Sequence, residues 1–269
     1  MLPDSARPYQ VELSCVAERE NVIVKLGTGL GKTFIAIMAI KFHLPITYVP
    51  LSEGGRRILF IVRTVMLAHQ QTDYLRRHLP LQADQIGCLH GRMSKEDIID
   101  LWDIDIWRAR LEKSRVIVIT AGALRDALNH NKLSMGHLEM LVFDECHHVD
   151  PNKCSDYTDI CQHLSKFRSG CWRSDGSAGP KVLGLTASVI NNVKDVSHVR
   201  NCVSKLERTM RCRLITSTSE SIALHQGKLT EKVVSLSETC SSSQAFTNFS
   251  HAEYQEVFDI LDKGQLAMR

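Results

Sequence analysis

The stretch from Asn21 to Ile40 constrains this chain more than any other. It runs from a β-branched segment, Asn21-Val22-Ile23-Val24-Lys25, through a glycine-rich turn, Leu26-Gly27-Thr28-Gly29-Leu30-Gly31-Lys32-Thr33, into a helix-period apolar segment, Phe34 to Ile40. Such a succession reads as strand, phosphate-binding loop and helix. Glycines let the backbone curl so that its N–H groups face inward, and the helix start adds a partial positive charge. Lys32 then neutralises the β and γ phosphates of a nucleotide, and the Thr33 hydroxyl ligates Mg²⁺. The loop departs from the strict pattern at one position, where Leu26 stands in place of the first glycine.

A chain of 269 residues with 43% hydrophobic composition can bury a sizeable core, enough for one large domain and the start of a second. No run approaches the ~18 apolar residues of a membrane span, and Met1 to Pro8 lacks the apolar centre of a signal peptide. The expectation is therefore a soluble protein of the cytoplasm or nucleus. A net charge of +3 permits nucleic-acid binding without arguing for it. The nine cysteines read as reduced thiols. Cys146, His147, His148, Cys154, Cys161 and Cys171 cluster in sequence, but no Cys-x-x-Cys pair marks them as a zinc site.

Taken in order, the chain alternates helix and strand. A helix from Val11 to Arg19 follows Arg7-Pro8-Tyr9-Gln10, and the planar amide of Gln10 suits the N6 and N7 edge of adenine. His43 to Arg57, with two prolines and a Gly-Gly pair, reads as a loop. Ile58 to Val62 and Val116 to Thr120 are continuous apolar runs of the kind buried on both faces of a parallel sheet. A helix is expected over Val65 to Arg77, a short strand over Gln85 to Leu89, and a further helix from a capping box at Ser94 through Glu112, with Trp102, Ile106 and Leu111 facing inward. Helices over Ala121 to Asn129, Ser155 to Phe167 and Val193 to Arg211 and a strand over Lys181 to Leu185 complete the pattern. Farther on, Glu231 to Leu236 reads as extended, Ser237 to Ser243 as a linker, and His251 to Met268 as an amphipathic helix.

At the end of the strand Met140 to Phe143 stand Asp144 and Glu145. Adjacent acids at the tip of a buried strand are costly unless something positive meets them. A Mg²⁺-nucleotide supplies that charge, with Asp144 on the metal and Glu145 orienting and deprotonating the attacking water. The fold class that follows is a three-layer α/β sandwich with a mostly parallel sheet that carries a P-loop.

With Gln10, the loop ending in Lys32-Thr33, Arg63-Thr64, Asp144-Glu145-Cys146-His147 and Thr186-Ala187-Ser188 in that order, the chain resembles the first RecA-like lobe of a superfamily 2 helicase. The spelling Asp-Glu-Cys-His is that of Dicer and of RIG-I-like receptors. Leu141 to His147 and Leu183 to Asn191 look most like the Dicer helicases. The resemblance covers about residues 7 to 236. It implies ATP and Mg²⁺ as cofactors, Gln10 on adenine, the loop Leu26, Gly27, Thr28, Gly29, Leu30, Gly31, Lys32 and Thr33 around the triphosphate, and His147, Thr186 and Ser188 coupling nucleotide to RNA. It places Arg63, Thr64, Gly91, Arg92 and Thr120 near an RNA backbone, with double-stranded RNA, a second RecA-like lobe and a double-stranded-RNA-binding protein as partners, and no membrane.

By the same resemblance, residues 1–212 are the helicase ATP-binding domain, 213–240 a connector and 241–269 the start of a helical insertion. Family enzymes complete the ATP site with arginines of the second lobe, so these residues alone are expected to bind ATP with little turnover. The competing readings are a non-catalytic RNA- or partner-binding fragment, a RIG-I-like RNA sensor lobe and a DNA-remodelling helicase lobe. A dinucleotide-binding dehydrogenase is disfavoured, for no Gly-x-Gly-x-x-Gly with its downstream acid is present.

Overall fold

The computed structural model of the chain describes residues 6–91, 99, 102–150, 155–170, 179–189 and 196–217. Its strands are β1 (Val22–Lys25), β2 (Arg57–Val62), β3 (Ile86–Leu89), β4 (Val116–Thr120), β5 (Leu138–Phe143), β6 (Lys181–Thr186) and β7 (Arg213–Ile215). Its helices are α1 (Pro8–Arg19), α2 (Lys32–His43), α3 (Val65–His78), α4 (Ile104–Lys113), α5 (Ala121–Asn129), α6 (Asp156–Gly170) and α7 (Val196–Met210). The strands form one sheet in the order β3-β4-β2-β5-β6-β1-β7, and every pairing is parallel. All strand carboxyl ends therefore lie on one edge, and the segments that leave them share it.

The continuous apolar runs follow from burial on both faces. Val22, Val24, Ile58, Phe60, Val62, Val116 and Val118 pack into one core with α1, α2 and α3. Ile23, Leu59, Ile61, Ile117 and Ile119 point to the other face and pack with α4 to α7. The result is the expected three-layer sandwich, with about 1.5–3 kcal/mol from each large side chain buried. None of the described helices is long and apolar enough to cross a membrane.

Two expectations are corrected. Arg57 belongs to β2, where its side chain is 0% exposed. Its guanidinium donates to Leu111 O (2.6 Å), Val49 O (3.1 Å) and Glu112 Oε2 (2.9 Å), so a charged residue sits inside a strand because each donor has an acceptor. α4 begins at Ile104, capped by Asp103, whose Oδ1 accepts from Asp105 N and Ile106 N. That register buries Trp107 and turns Ile106 outward. β7, a strand that the sequence reading did not single out, adds three residues beside β1. The capping box at Ser94, the tail readings from Glu231 to Met268 and the insertion over 241–269 lie outside the described residues.

Gly184, in the middle of β6, explains how the acidic turn is seated. A Cβ there would lie 2.9 Å from Cys146 Sγ, 3.1 Å from Ile23 Cγ1 and 3.2 Å from Met210 Cε. Only a residue without a side chain lets Cys146 press directly on the sheet. Gly184→Ala is expected to lower unfolding free energy by about 1–3 kcal/mol in denaturant melts. Adding Cys146→Ala should recover part of the loss, whereas strictly additive effects would contradict this packing.

Candidate nucleotide site on the carboxyl edge

The loop after β1 folds as its glycines require. Gly29 and Gly31 both have φ of +78°, Leu30 N donates to Gly27 O (3.3 Å), and Phe34 N and Ile35 N donate to Gly31 O as α2 begins. Leu26, the departure from the strict pattern, needs no such freedom. It continues the line of β1, its N–H donates to Thr186 O (3.1 Å), and its side chain is buried in the core beneath α2. The amine of Lys32 donates to Leu26 O (3.1 Å) and Gly27 O (3.4 Å), which holds it over the bowl of the loop. Partial burial lowers its pKa, while Glu145 and Asp144 act in the opposite direction. Thr33 follows on the first turn of α2, and Thr28 is exposed at the tip of the loop.

Gln10 on α1 meets the loop from outside the sheet. It is 5% exposed, Oε1 accepts from Arg7 N (3.0 Å), and Nε2 donates to Leu30 O (3.1 Å). The residue expected on adenine therefore braces the loop, and its second amide hydrogen and a second lone pair on Oε1 are what it can offer a base. A Cβ at Gly31 would collide with Nε2, a second reason for glycine there.

The acid pair sits two strands away, across β6. Asp144 N donates to Ile61 O (3.0 Å), its Oδ1 accepts from Glu145 N (3.1 Å), and its Oδ2 accepts from Gln71 Nε2 (3.2 Å) on α3. Tyr157 on α6 donates its hydroxyl to Asp144 O (2.8 Å). Burial, with Glu145 adding to it, raises the Asp144 carboxyl to about 6. Glu145 has φ of +48°, a left-handed conformation uncommon outside glycine, and that bend starts the 3₁₀ turn Cys146–His148.

The turn brings His147 back over the sheet. Its Nδ1 lies 3.0 Å from Thr186 Oγ1 and 3.3 Å from Glu145 Oε2. Thr186 spends its own proton on Ser188 O (2.5 Å), so its hydroxyl oxygen accepts from His147. This network assigns the proton to Nδ1 and leaves Nε2 as an acceptor in the neutral ring. Burial lowers the His147 pKa, which favours that neutral form. Ser188 itself is exposed and joins through its main-chain oxygen.

The remaining expected residues occupy the other half of the same edge. Arg63 and Thr64 leave β2, with Thr64 Oγ1 capping α3 by accepting from Leu67 N (3.3 Å). Thr120 ends β4 opposite Val62, and Gly91 follows β3, exposed. Arg92 lies outside the described residues. Arg63 Nη1 donates to His148 Nε2 (2.7 Å), a bridge that joins this half to the acid turn. Gln71 and Tyr157 are thus site residues that the sequence reading gave no role, and His148, noted there only within the cysteine cluster, takes a different one on Arg63.

The donor set fits a Mg²⁺-nucleotide. Among the described residues no group of three or more His, Cys, Asp or Glu side chains could hold a metal; Cys154 and Cys171 of the cysteine cluster lie outside them. Mg²⁺ asks for less, one or two carboxylates besides phosphates and waters, and a buried carboxylate raised to about 6 wants a cation.

Comparison with known proteins gives the family and the fold. The family model "DEAD/DEAH box helicase" matches residues 7–196. "Endoribonuclease dcr-1" of Caenorhabditis elegans is 34% identical over 219 residues, 81% of this chain and 11% of that protein. "Endoribonuclease Dicer homolog 2" of Arabidopsis thaliana is 32% identical over 81% of this chain and 15% of its own length, and "Endoribonuclease Dicer" of Gallus gallus 30% over 79% and 10%. The chain thus spans between a tenth and a sixth of these relatives. The crystal structure of the Pyrococcus furiosus Hef helicase domain superposes with a TM-score of 0.60 at 20% identity, covering 82% of this chain and 40% of that one, and shares the fold. The family model takes in the loop, the acid pair and Thr186-Ala187-Ser188, and the chain belongs to the DEAD/DEAH box helicase family.

Proposed function

We propose that these residues form the ATP-binding lobe of a Dicer-like, double-stranded-RNA-dependent ATPase of helicase type, acting in RNA interference and small-RNA processing. One observation carries the reading. The phosphate loop and the acid pair flank β6 on the same edge as Arg63, Thr64, Gly91 and Thr120, and the Arg63–His148 bond joins the two halves.

In this reading the loop from Leu26 to Thr33 holds the triphosphate, Lys32 turns from its carbonyl partners to the β and γ phosphates, and Gln10 meets adenine with its second amide hydrogen. Thr33 and Asp144 hold Mg²⁺, which, when bound, neutralises charge on the phosphates. Glu145 orients the attacking water and takes its proton. His147, kept neutral with Nε2 as acceptor, reports nucleotide state through Thr186 and Ser188. Arg63, Thr64, Gly91, Arg92 and Thr120 contact RNA phosphate and sugar, which read shape more than sequence. A second RecA-like lobe supplies the arginines that speed hydrolysis, so this lobe alone binds ATP with little turnover. Residues 213–240 lead towards that lobe as a connector, with 241–269 opening a helical insertion. A double-stranded-RNA-binding protein is a further partner, and the cytoplasm is the compartment proposed, with the nucleus as the alternative.

The test is ATP hydrolysis with double-stranded RNA and with double-stranded DNA, by these residues and by a longer form carrying the next ~250 residues, about one more domain. The longer form should turn over ATP only with RNA and only with Lys32 intact, Lys32→Ala losing a thousandfold or more on the order of removing a phosphate clamp. Equal stimulation by DNA, or no turnover by either form although both bind RNA, would contradict it.

The charge argument has its own test. A carboxyl raised from 3.8 to about 6 keeps its proton better in the folded chain, so ionising Asp144 removes stability as pH rises through that window. Asp144→Asn should therefore raise stability at pH 7 by about 2 kcal/mol, a gain that closes below pH ~4, while abolishing Mg²⁺-dependent nucleotide binding. A variant less stable than the parent at pH 7 would show that the carboxylate is not strained.

A further inference from the structure

Leu30, in the middle of the phosphate loop, has a carbonyl that takes two side-chain donors from α1. Gln10 Nε2 is one, at 3.1 Å, and the Tyr9 hydroxyl is the other, at 2.9 Å. A carbonyl oxygen has two lone pairs, so this one is saturated. Tyr9 is 0% exposed, and because it must donate to Leu30 O its hydroxyl proton is fixed. The hydroxyl oxygen in turn accepts from Arg7 Nη1 at 2.9 Å. A cation donating to that oxygen polarises the O–H bond and strengthens the bond it makes to the carbonyl.

The consequence lies on the other side of the same peptide group. The Leu30–Gly31 peptide is planar and trans, so its C=O and its N–H point in opposite directions. Drawing Leu30 O towards α1 aims Gly31 N–H away from it, and that N–H meets no backbone acceptor among the described residues. Gly31 has φ of +78° and α2 starts at the next residue, so its N–H is among the first unpaired donors of the helix end that would face a phosphate. The two donors on Leu30 O, Tyr9 and Gln10, resist rotation of this peptide, which the glycine beyond it would otherwise permit.

We propose that Tyr9, oriented by Arg7, is a positioning residue for phosphate binding: through the Leu30 carbonyl it aims Gly31 N–H at a phosphate oxygen without touching the nucleotide itself. This rests on reading the loop as the nucleotide site: Gln10 shares the hold on Leu30 O and also offers its second amide hydrogen to the base, whereas Tyr9 acts on the carbonyl alone.

The experiment measures dissociation constants of the chain for ATP, GTP and inorganic tripolyphosphate, beside melting of the unliganded protein. Tyr9→Phe keeps the buried ring and removes only the hydroxyl. It should weaken all three ligands by the same factor, about fivefold, leaving the ATP-to-GTP ratio unchanged. Arg7→Met, a change on a half-buried residue that leaves the Tyr9 ring in place, should weaken all three by about twofold and serves if Tyr9→Phe does not fold. A merely structural role for Tyr9 would lower the melting temperature and leave the affinity of the folded fraction unchanged, which overturns the proposal. Loss of ATP affinity without loss of tripolyphosphate affinity overturns it too, for Tyr9 would then be reading the base. Failure of the unaltered chain to bind any of the three ligands would instead sink the nucleotide reading, and the proposal with it.

Discussion

A carboxylate at the end of a strand covered on both faces is the least comfortable group in this fold, and much of the candidate site answers it. Asp144 closes β5, which lies at the centre of the seven-stranded sheet, so its side chain emerges into little water. The protein supplies an amide from Gln71 and the Glu145 N–H, two partners that stabilise the charge without neutralising it. Burial still wins, and the carboxyl stays near 6. A group held in that condition is poised for a cation, and Lys32 across β6, its amine bonded to main-chain carbonyls, eases the charge through space without offsetting its burial. The strain at Asp144 and the loop around Lys32 are two halves of one arrangement that a Mg²⁺-nucleotide would complete.

The parallel sheet decides where every other candidate falls. Since all seven strands run one way, the phosphate loop, the acid turn, the Thr186 segment and the row from Arg63 to Thr120 must share an edge. β5 and β2 are neighbours, so the border between the nucleotide half and the other half is a single strand spacing. His147 and His148 straddle it, one bonded to Thr186 and the other to Arg63, with their rings 4.0 Å apart. The left-handed bend at Glu145 makes this possible, because it turns the chain back across the sheet within three residues. Cys146 fixes the turn from below by packing on Gly184.

What could be read from sequence, and what could not, follows from the range of each signal. Runs such as Ile58 to Val62 and Val116 to Thr120 announce buried strands because burial on both faces erases polar alternation. The loop and the acid pair are legible because their chemistry is carried by neighbours in the chain. Gln71, Tyr157, His148 and Tyr9 are silent in sequence, since each acts on a partner far along the chain and shares its residue type with many ordinary surface or core positions. β7 is too short to carry a period and is held by β1 alone. Arg57 reads as loop because charge argues against a strand interior, and only the acceptors around it, Leu111 O, Val49 O and Glu112, reverse that argument. The inward placing of Ile106 fails for a related reason, since the register of α4 is set by the cap at Asp103 and by the burial of Trp107 and Leu111, which periodicity alone does not distinguish.

The central claim is that the two halves of the carboxyl edge are energetically one site. Titrating nucleotide with and without saturating double-stranded RNA measures it most directly, in the parent chain and in Arg63→Met, which keeps the bulk of the side chain and removes the bond to His148. The account predicts that RNA tightens nucleotide binding, that nucleotide tightens RNA binding by the same factor, and that Arg63→Met lowers that shared factor. Independent binding of the two ligands in the parent chain, or a coupling factor untouched by Arg63→Met, would contradict it.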